Sequence, residues 1–184
     1  RLSTRWIGQG PMVDKFEKKF SQIFLNGKEC VSTGSGTDAL HLAYILAGIK
    51  KNDEVIAPVF TCTATNIPLL YIGAKIKFVD DNPQTMNIDI NDLKKKISKK
   101  TKAIICVHYG GIPCDMSEIN KLAKKYKIKV IEDAAQALGG KYNKKNIGTI
   151  SDFTVFSFQA IKHITTGDGG MLCVKDKRLI EKAK

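Results

Sequence analysis

The amino-acid sequence predicts a single α/β domain with a mostly parallel sheet that is covered by helices on both faces. Seven short runs rich in β-branched residues alternate with stretches of helical periodicity along the 184-residue chain. These runs are almost continuously apolar, as in strands that are buried on both sides. They cover residues 29–32, 54–59, 75–79, 103–107, 129–131, 153–158 and 171–174. A hydrophobic fraction of 43% is ordinary for one globular domain of this size.

Apolar residues at helical spacing mark the helices between these strands. The three clearest stripes are Val13, Phe16, Phe20, Ile23 and Phe24; Leu40, Ala43, Tyr44 and Ala47; and Leu122 with Tyr126. Asp115 precedes the third stripe, where its carboxylate can accept a hydrogen bond from a free N–H of the first helical turn. Ligands of such sheets bind beyond the carboxyl ends of the strands. The residues just after each strand are therefore the candidates for function.

The net charge of +12 attracts anions but does not by itself indicate a nucleic-acid-binding protein. The lysine runs at residues 94–100, 121–129 and 141–145 lie apart in the sequence. No zinc-knuckle, helix-turn-helix or RNP-like signature accompanies them. We therefore expect no nucleic-acid partner, whereas an anionic small molecule is a candidate ligand.

Five cysteines without a C-x-x-C pair argue against a disulfide framework and against a closed zinc site. No apolar run approaches the roughly 20 residues that span a bilayer, and the start shows no signal-peptide pattern. We expect a cytoplasmic protein with no membrane segment. The chain stops within a predicted charged helix at residues 175–184, which is typical of a truncated chain.

The first informative strand end is STGSGTDALHL at residues 32–42. Small residues form a tight turn, and an amphipathic helix then begins near Thr37. Its free N–H groups and positive dipole end suit a phosphate. The spacing of a P-loop and the G-x-G-x-x-G pattern are both absent. The alternative is a turn in which Ser35 or Thr37 only caps the helix.

The second strand end is VIEDAAQALGG at residues 130–140. A carboxylate at the end of a buried strand is costly without a cationic or hydrogen-bonding partner, so Glu132 or Asp133 should have one. His108 alone does not supply the further ligands that a metal would need. The alternative is that Asp133 is the N-cap of a helix beginning at Ala134.

The third strand end is SFQAIKHITTGDGG at residues 157–170, in which Lys162 follows an apolar strand and precedes a glycine-rich turn. A lysine amine held in an apolar pocket has a lowered pKa and becomes a nucleophile towards carbonyl carbons, as in Schiff-base lysines. The alternative is a lysine whose amine simply extends from the strand end into solvent. The Thr-rich turn at residues 58–66 is uninformative in isolation.

A phosphate cradle, a buried carboxylate and a strand-end lysine are together the protein groups that pyridoxal 5'-phosphate (PLP) requires. The phosphate needs an anion site, the ring nitrogen needs a partner that keeps it protonated, and the aldehyde needs an amine. A buried aspartate favours the charged pyridinium. The three strand ends therefore predict PLP as the cofactor.

Six motifs in this order resemble the DegT/DnrJ/EryC1/StrS family of PLP-dependent nucleotide-sugar aminotransferases. They are WIGQGPMVDKFEKKF, SGTDALHLA, DEVIAPVFTCTATN, VHYGGIPCDM, VIEDAAQALGGKY and SFQAIKHITTGDGGM, and together they extend over nearly the whole chain. The resemblance implies the large domain of the type I, aspartate-aminotransferase-like fold, with a seven-stranded, mostly parallel sheet. The seven predicted strands fit that number.

The resemblance also implies roles for individual residues. Lys162 would form the Schiff base with PLP and move the proton during amine transfer. Asp133 would pair with the pyridinium nitrogen, and Gln136 would lie near the phenolic oxygen. The residues expected at the phosphate are Ser157, Gly36 and Thr37.

Two features depart from the family pattern. Cys62 stands where many relatives have an aromatic residue over the cofactor ring, and Phe60 is an alternative source of that stacking. Family members also run to about twice this length, which fits two domains of ordinary size. We therefore expect residues 1–184 to be the PLP-binding large domain, without the C-terminal small domain.

The function implied by the resemblance is transfer of an amino group from an amino acid, expected to be glutamate, to a nucleotide-linked keto-deoxysugar. Such reactions supply lipopolysaccharide and other surface polysaccharides, and the enzymes act as homodimers. Related keto-sugar dehydratases have a histidine in place of Lys162, and His163 is one position too late. Two alternatives stay open: an aminotransferase for a cyclitol or another non-nucleotide ketone, and a truncated, non-catalytic chain that binds cofactor.

Overall fold

A computed structural model of the protein describes residues 9–184. The start of the first motif, up to residue 8, lies outside the described residues. Six α-helices are found in the described part: α1 (Pro11–Phe24), α2 (Gly36–Leu46), α3 (Thr63–Ile72), α4 (Ile90–Lys96), α5 (Met116–Tyr126) and α6 (Ile180–Ala183). The strands there are β1 (Cys30–Thr33), β2 (Glu54–Pro58), β3 (Lys75–Val79), β4 (Thr101–Val107), β5 (Lys129–Asp133), β6 (Lys141–Tyr142), β7 (Lys145–Asn146), β8 (Phe153–Ser157) and β9 (Gly170–Val174).

Seven of these strands form one sheet in the order β1-β9-β8-β5-β4-β2-β3. β9 pairs antiparallel with both β1 and β8, and the remaining neighbours are parallel. The prediction of a seven-stranded, mostly parallel sheet is confirmed. Because β1, β8, β5, β4 and β2 all point the same way, their carboxyl ends meet at one edge of the sheet.

Helices cover both faces of the sheet, as the apolar strands predict. On one face α2 packs Leu40, Ala43 and Tyr44 against strand residues that include Ile105 and Val155. The other face carries two clusters. In one of them α5 covers neighbouring strands with Met116, Ile119 and Leu122, among other residues. In the second cluster the Phe20 ring of α1 lies 5.4 Å from that of Phe156 and 5.6 Å from that of Phe158.

The predicted stripes are largely buried, with two exceptions at helix ends. Ile23 near the end of α1 is 65% exposed, and Tyr126 at the end of α5 is 43% exposed. Asp115 is the N-cap of α5, because its side chain accepts a hydrogen bond from the Glu118 N–H. That prediction is confirmed. No helix among residues 9–184 combines the length and apolar character needed to cross a membrane.

A short antiparallel hairpin, β6–β7, was missed by the sequence analysis. Each strand has two residues, and the turn between them places Asn143 and Lys144 at φ angles of 47° and 65°. Positive φ at both central residues is the geometry of the tight turns that match strand twist. The hairpin packs Tyr142 next to the start of α5, where its hydroxyl donates to Asp115.

Candidate active site

A cavity of about 360 Å³ lies at the carboxyl edge of the parallel strands. Its walls come from the ends of β4, β5 and β8 and from the starts of α2 and α3. All seven residues singled out from the sequence line it: Gly36, Thr37, Cys62, Asp133, Gln136, Ser157 and Lys162. A larger groove of about 650 Å³ lies at the opposite edge between α5 and the hairpin. The smaller cavity is the candidate site, because it gathers reactive groups at the strand ends where such sheets bind ligands.

The start of α2 and the end of β8 meet at one end of the cavity. Ser35 is the N-cap of α2 and accepts a hydrogen bond from the Asp38 N–H at 3.0 Å. A Cβ atom on Gly36 would lie 2.9 Å from the Cβ of Ser157, so only glycine permits this approach. The free N–H groups of the first turn and the Ser157 hydroxyl therefore border the same space. Such an arrangement suits a phosphate.

Asp133 ends β5 and is buried, with a 6% exposed fraction. Its Oδ2 accepts a hydrogen bond of 2.7 Å from the Thr65 hydroxyl, and its Oδ1 accepts one of 3.1 Å from the Ala135 N–H. No helix follows it, because residues 134–140 form successive turns. The alternative that Asp133 is a helix N-cap is therefore wrong. Its carboxylate borders the cavity instead.

Gln136 lies in the turns after β5, and its amide has a fixed partner. The Gly110 N–H donates to Gln136 Oε1 at 2.8 Å. Because the oxygen is engaged, the amide NH₂ is the group left to donate to a ligand. A donor of this kind suits an anionic oxygen, such as the phenolate of PLP.

Lys162 lies in the loop that follows β8 rather than on the strand itself, and it is half-buried. Its backbone N–H donates to Gln159 O at 2.9 Å, so the loop turns back at this point. Ile161 beside it is 83% exposed. Lys162 and Asp133 both line the cavity, and the structure thus brings an amine and a buried carboxylate to one site.

Cys62 borders the cavity from the N-cap position of α3. Phe60 is not among the lining residues and packs on Tyr109, with ring centroids 4.9 Å apart. Tyr109 does line the cavity. An aromatic ring thus borders the site from the end of β4, a contribution that the sequence analysis missed.

A buried histidine–glutamate pair lies beneath the site and was also missed. His108 Nε2 lies 2.8 Å from Glu132 Oε2, and both side chains are fully buried. The Cys114 N–H donates to His108 Nδ1, so the imidazole proton is on Nε2 and is donated to Glu132. The backbone N–H of His108 donates to the backbone carbonyl oxygen of Asp133. The pair therefore ties the end of β4 to the end of β5.

The buried carboxylates of β5 both have the partners that their burial requires. Glu132 Oε1 accepts hydrogen bonds from the Ser151 N–H and the Thr154 hydroxyl, each at 3.0 Å. Its placement inside an apolar strand was the one sequence signal for this network. Among residues 9–184, no group of three histidine, cysteine or acidic side chains is arranged to hold a metal ion.

The profile of the DegT/DnrJ/EryC1/StrS aminotransferase family matches residues 1–184. The chain belongs to this family. A curated relative, the GDP-perosamine synthase of Escherichia coli O157:H7, is 45% identical over 183 residues, which is 98% of this chain and 50% of the relative. The chain spans about half the length of the curated relatives it matches.

Solved structures of family relatives have the same fold. NtdA from Bacillus subtilis, with its cofactor PMP bound, superposes with a TM-score of 0.89 at 35% identity, over 95% of this chain and 39% of NtdA. A GDP-4-keto-6-deoxymannose-3-dehydratase (ColD) mutant with bound GDP-perosamine gives a TM-score of 0.87 at 34% identity, over 91% of this chain and 45% of that enzyme. The domain therefore has the type I aminotransferase fold that the sequence predicts.

Proposed function

We propose that the protein is a PLP-dependent aminotransferase that moves an amino group from an amino acid, expected to be glutamate, to a nucleotide-linked keto-deoxysugar. The observation that carries this proposal is the single cavity that gathers a helix N-terminus, a buried carboxylate and a lysine. Similarity to GDP-perosamine synthase supports the nucleotide-sugar substrate.

The residues present fit PLP at each of its polar groups. Gly36, Thr37 and Ser157 would hold the phosphate, because the first turn of α2 presents unpaired N–H groups there. Asp133 would accept a hydrogen bond from the protonated ring nitrogen and so favour its charged form. Gln136 would donate to the phenolic oxygen through its NH₂ group. The fit rests on a buried carboxylate that borders the cavity and on a cradle that a Cβ atom at Gly36 would fill.

Lys162 would have two roles. Its amine would hold the cofactor covalently through the aldehyde carbon. The same amine would also be the base that carries a proton between neighbouring carbons. PLP, when bound, would supply the electron sink for that proton transfer.

Lys162 also supports transamination over dehydration. The sugar dehydratases resembled by this chain replace this lysine with histidine, which cannot form a covalent imine. The similarity to the ColD structure is therefore consistent with a shared fold and substrate class rather than a shared reaction.

The proposal includes the domain, the location and the oligomeric state of the protein. Residues 1–184 form the PLP-binding large domain of a cytoplasmic homodimer. All five cysteines are free, as a reducing compartment requires. Exposed apolar residues on α2 and α3, namely Ile45, Leu70 and Tyr71, offer a surface for a second copy. Sedimentation equilibrium measures the assembly, and a monomeric mass at micromolar concentration would contradict it.

Covalent trapping tests the proposed function. The protein is mixed with PLP and reduced with borohydride, and its peptides are mapped by mass spectrometry. The adduct is expected on Lys162. Lys162→Ala should lose this adduct and lower turnover of a nucleotide keto-sugar by about 10³-fold or more. Lys145→Ala, which removes an exposed hairpin lysine, is the matched control and should change neither. An adduct at another lysine, or full activity in Lys162→Ala, would overturn the proposal.

A further inference from the structure

A chain of hydroxyl groups reaches Asp133 from α3. The Thr65 hydroxyl lies 2.7 Å from Asp133 Oδ2, and Thr61 Oγ1 lies 2.8 Å from Thr65 Oγ1. Thr65 is fully buried. Thr65 and Asp133 are 68 residues apart in the sequence, so the contact exists only because α3 packs beside the end of β5.

Each hydroxyl has one proton to donate, and this sets the direction of the two hydrogen bonds. An ionised carboxylate only accepts hydrogen bonds, so the Thr65 proton must be donated to Asp133. The Thr65 oxygen is then the acceptor for Thr61, whose hydroxyl becomes the donor. The order Thr61→Thr65→Asp133 is thus set by the ionised state, and protonation of Asp133 would remove the reason for it.

The position of Thr65 is fixed from two sides. Its N–H donates to Cys62 O at 3.0 Å, and its carbonyl oxygen accepts a hydrogen bond of 2.7 Å from the Tyr44 hydroxyl of α2. Burial, and then the charge of Asp133, raise the pKa of Tyr44 well above its usual value. The phenol therefore stays protonated and keeps this donation across the working pH range. α2, which carries the phosphate cradle, thus also holds the residue that contacts Asp133.

We propose that Thr65 is a positioning residue of the site, whose hydroxyl holds the Asp133 carboxylate in place and leaves its remaining lone pairs for the ring nitrogen of the cofactor. The inference rests on the proposed function. Two donors, Thr65 and Ala135, occupy one position on each oxygen. The carboxylate keeps further acceptor positions, and Asp133 lines the cavity.

Other ionisable groups surround Asp133 and define the background for a test. They are Tyr44 from α2, Cys106 from β4, the neighbouring His108 and Glu132, and Cys62, Tyr109, Lys162 and Asp168 around the cavity. Among the described residues, none of these groups donates a hydrogen bond to Asp133 Oδ2, whose donor is the Thr65 hydroxyl.

The decisive measurement is the ¹³C chemical shift of the Asp133 carboxyl carbon in the cofactor-free protein at one neutral pH. The signal is assigned by its loss in Asp133→Asn. Thr65→Val, which keeps the shape but lacks the donor, removes the hydrogen bond to Asp133 Oδ2 and should move this signal. Thr65→Ser should restore the original value. Thr63→Val, on the exposed face of the same helix, is the matched control.

A second readout is the dissociation constant of PLP. It should rise by about tenfold in Thr65→Val and return in Thr65→Ser, whereas Thr65→Val should have no further effect in an Asp133→Asn background, because the two side chains act as a pair. A merely structural role would weaken PLP binding by the same factor in both backgrounds. If Thr65→Val does not fold, Thr61→Val tests the same row of hydrogen bonds. Its effect on both readouts should be smaller, because Thr65 keeps its own hydrogen bond to Asp133.

The outcomes separate the two proposals. An Asp133 carboxyl signal that is the same in wild type, Thr65→Val and Thr61→Val overturns the positioning role, whatever the cofactor result. A moved signal together with no borohydride adduct on Lys162 instead overturns the proposed aminotransferase function, because the NMR measurement needs no cofactor.

Discussion

At the residue scale, a Cβ atom at Gly36 would lie 2.9 Å from Ser157 Cβ and 3.2 Å from its Oγ. Both contacts involve the stem of a short side chain, which cannot swing away. Gly36→Ala should therefore push the start of α2 away from β8 and enlarge the phosphate cradle. We expect the dissociation constant of PLP to rise by roughly tenfold or more, since a charge-assisted hydrogen bond contributes about that much. Absorbance titration of the cofactor-free protein measures it.

Gly34→Ala is the matched control for this change. The nearest atom to a Cβ there is Asp38 Oδ2 at 2.9 Å, which belongs to an exposed side chain that can rotate. PLP affinity should stay within about twofold of wild type. Equal loss of affinity in both variants would mean that loop stiffness, and not the approach to Ser157, governs phosphate binding.

The residues of the site differ in how well the sequence could predict them. Asp133 and Lys162 were identifiable because an ionisable side chain at an apolar strand end is chemically unusual in itself. Thr65 and His108 were not identifiable, since the role of a threonine in a turn or of a lone histidine depends on which residues it contacts. Those partners, Asp133 and Glu132, are distant in sequence and are brought near by the sheet order.

At the element scale, the strands of the main sheet were predicted because burial on both faces leaves a continuous apolar run. The β6–β7 hairpin lacks that signal, since its strands are two residues long and its turn is Asn143–Lys144 rather than an Asn-Gly or Asp-Gly pair. Only packing against α5 explains it. Tyr142 of the hairpin and the Glu118 N–H of α5 share one acceptor, Asp115 Oδ1.

Asp115→Ala should lower the free energy of unfolding by about 1 kcal/mol, the usual cost of losing an N-cap. The Tyr142 hydroxyl, and then the N–H groups of the first turn of α5, hold the pKa of Asp115 below its usual value. Its stabilisation is therefore complete above the unfolded value of about 4 and is lost as the pH falls through the lower folded value. Urea unfolding of both proteins between pH 2.5 and 7 should show a difference that shrinks only at the acid end.

Asp115→Asn is the control for the charge. Asparagine caps helices as well as aspartate does, so this variant should keep most of the stability at neutral pH. Its difference from Asp115→Ala should also not vary with pH. A neutral-pH loss as large as that of Asp115→Ala would show that the charge, and not the cap geometry, stabilises the start of α5.

At the scale of the whole molecule, the sheet direction separates the site from much of the positive charge. The cavity lies at the carboxyl edge of the parallel strands, whereas Lys124 and Lys175 lie along the groove at the opposite edge. These lysines cannot contact a ligand in the cavity. They still contribute to the net charge of +12, and a field of that sign attracts anions over the Debye length.

The association rate of PLP should therefore depend on salt. Because the Debye length falls from about 30 Å at 0.01 M to about 3 Å at 1 M, the rate constant should drop by roughly tenfold over this range. Pyridoxal, which lacks the phosphate, is the matched ligand and should associate at a rate nearly independent of salt. Replacing both Lys124 and Lys175 with glutamate should slow PLP association at low salt and leave its dissociation rate unchanged, because neither residue borders the site. Stopped-flow absorbance measures both rates. If PLP and pyridoxal respond equally to salt, the phosphate is recognised only by contacts within the cavity, and the net charge does not guide the cofactor to its site.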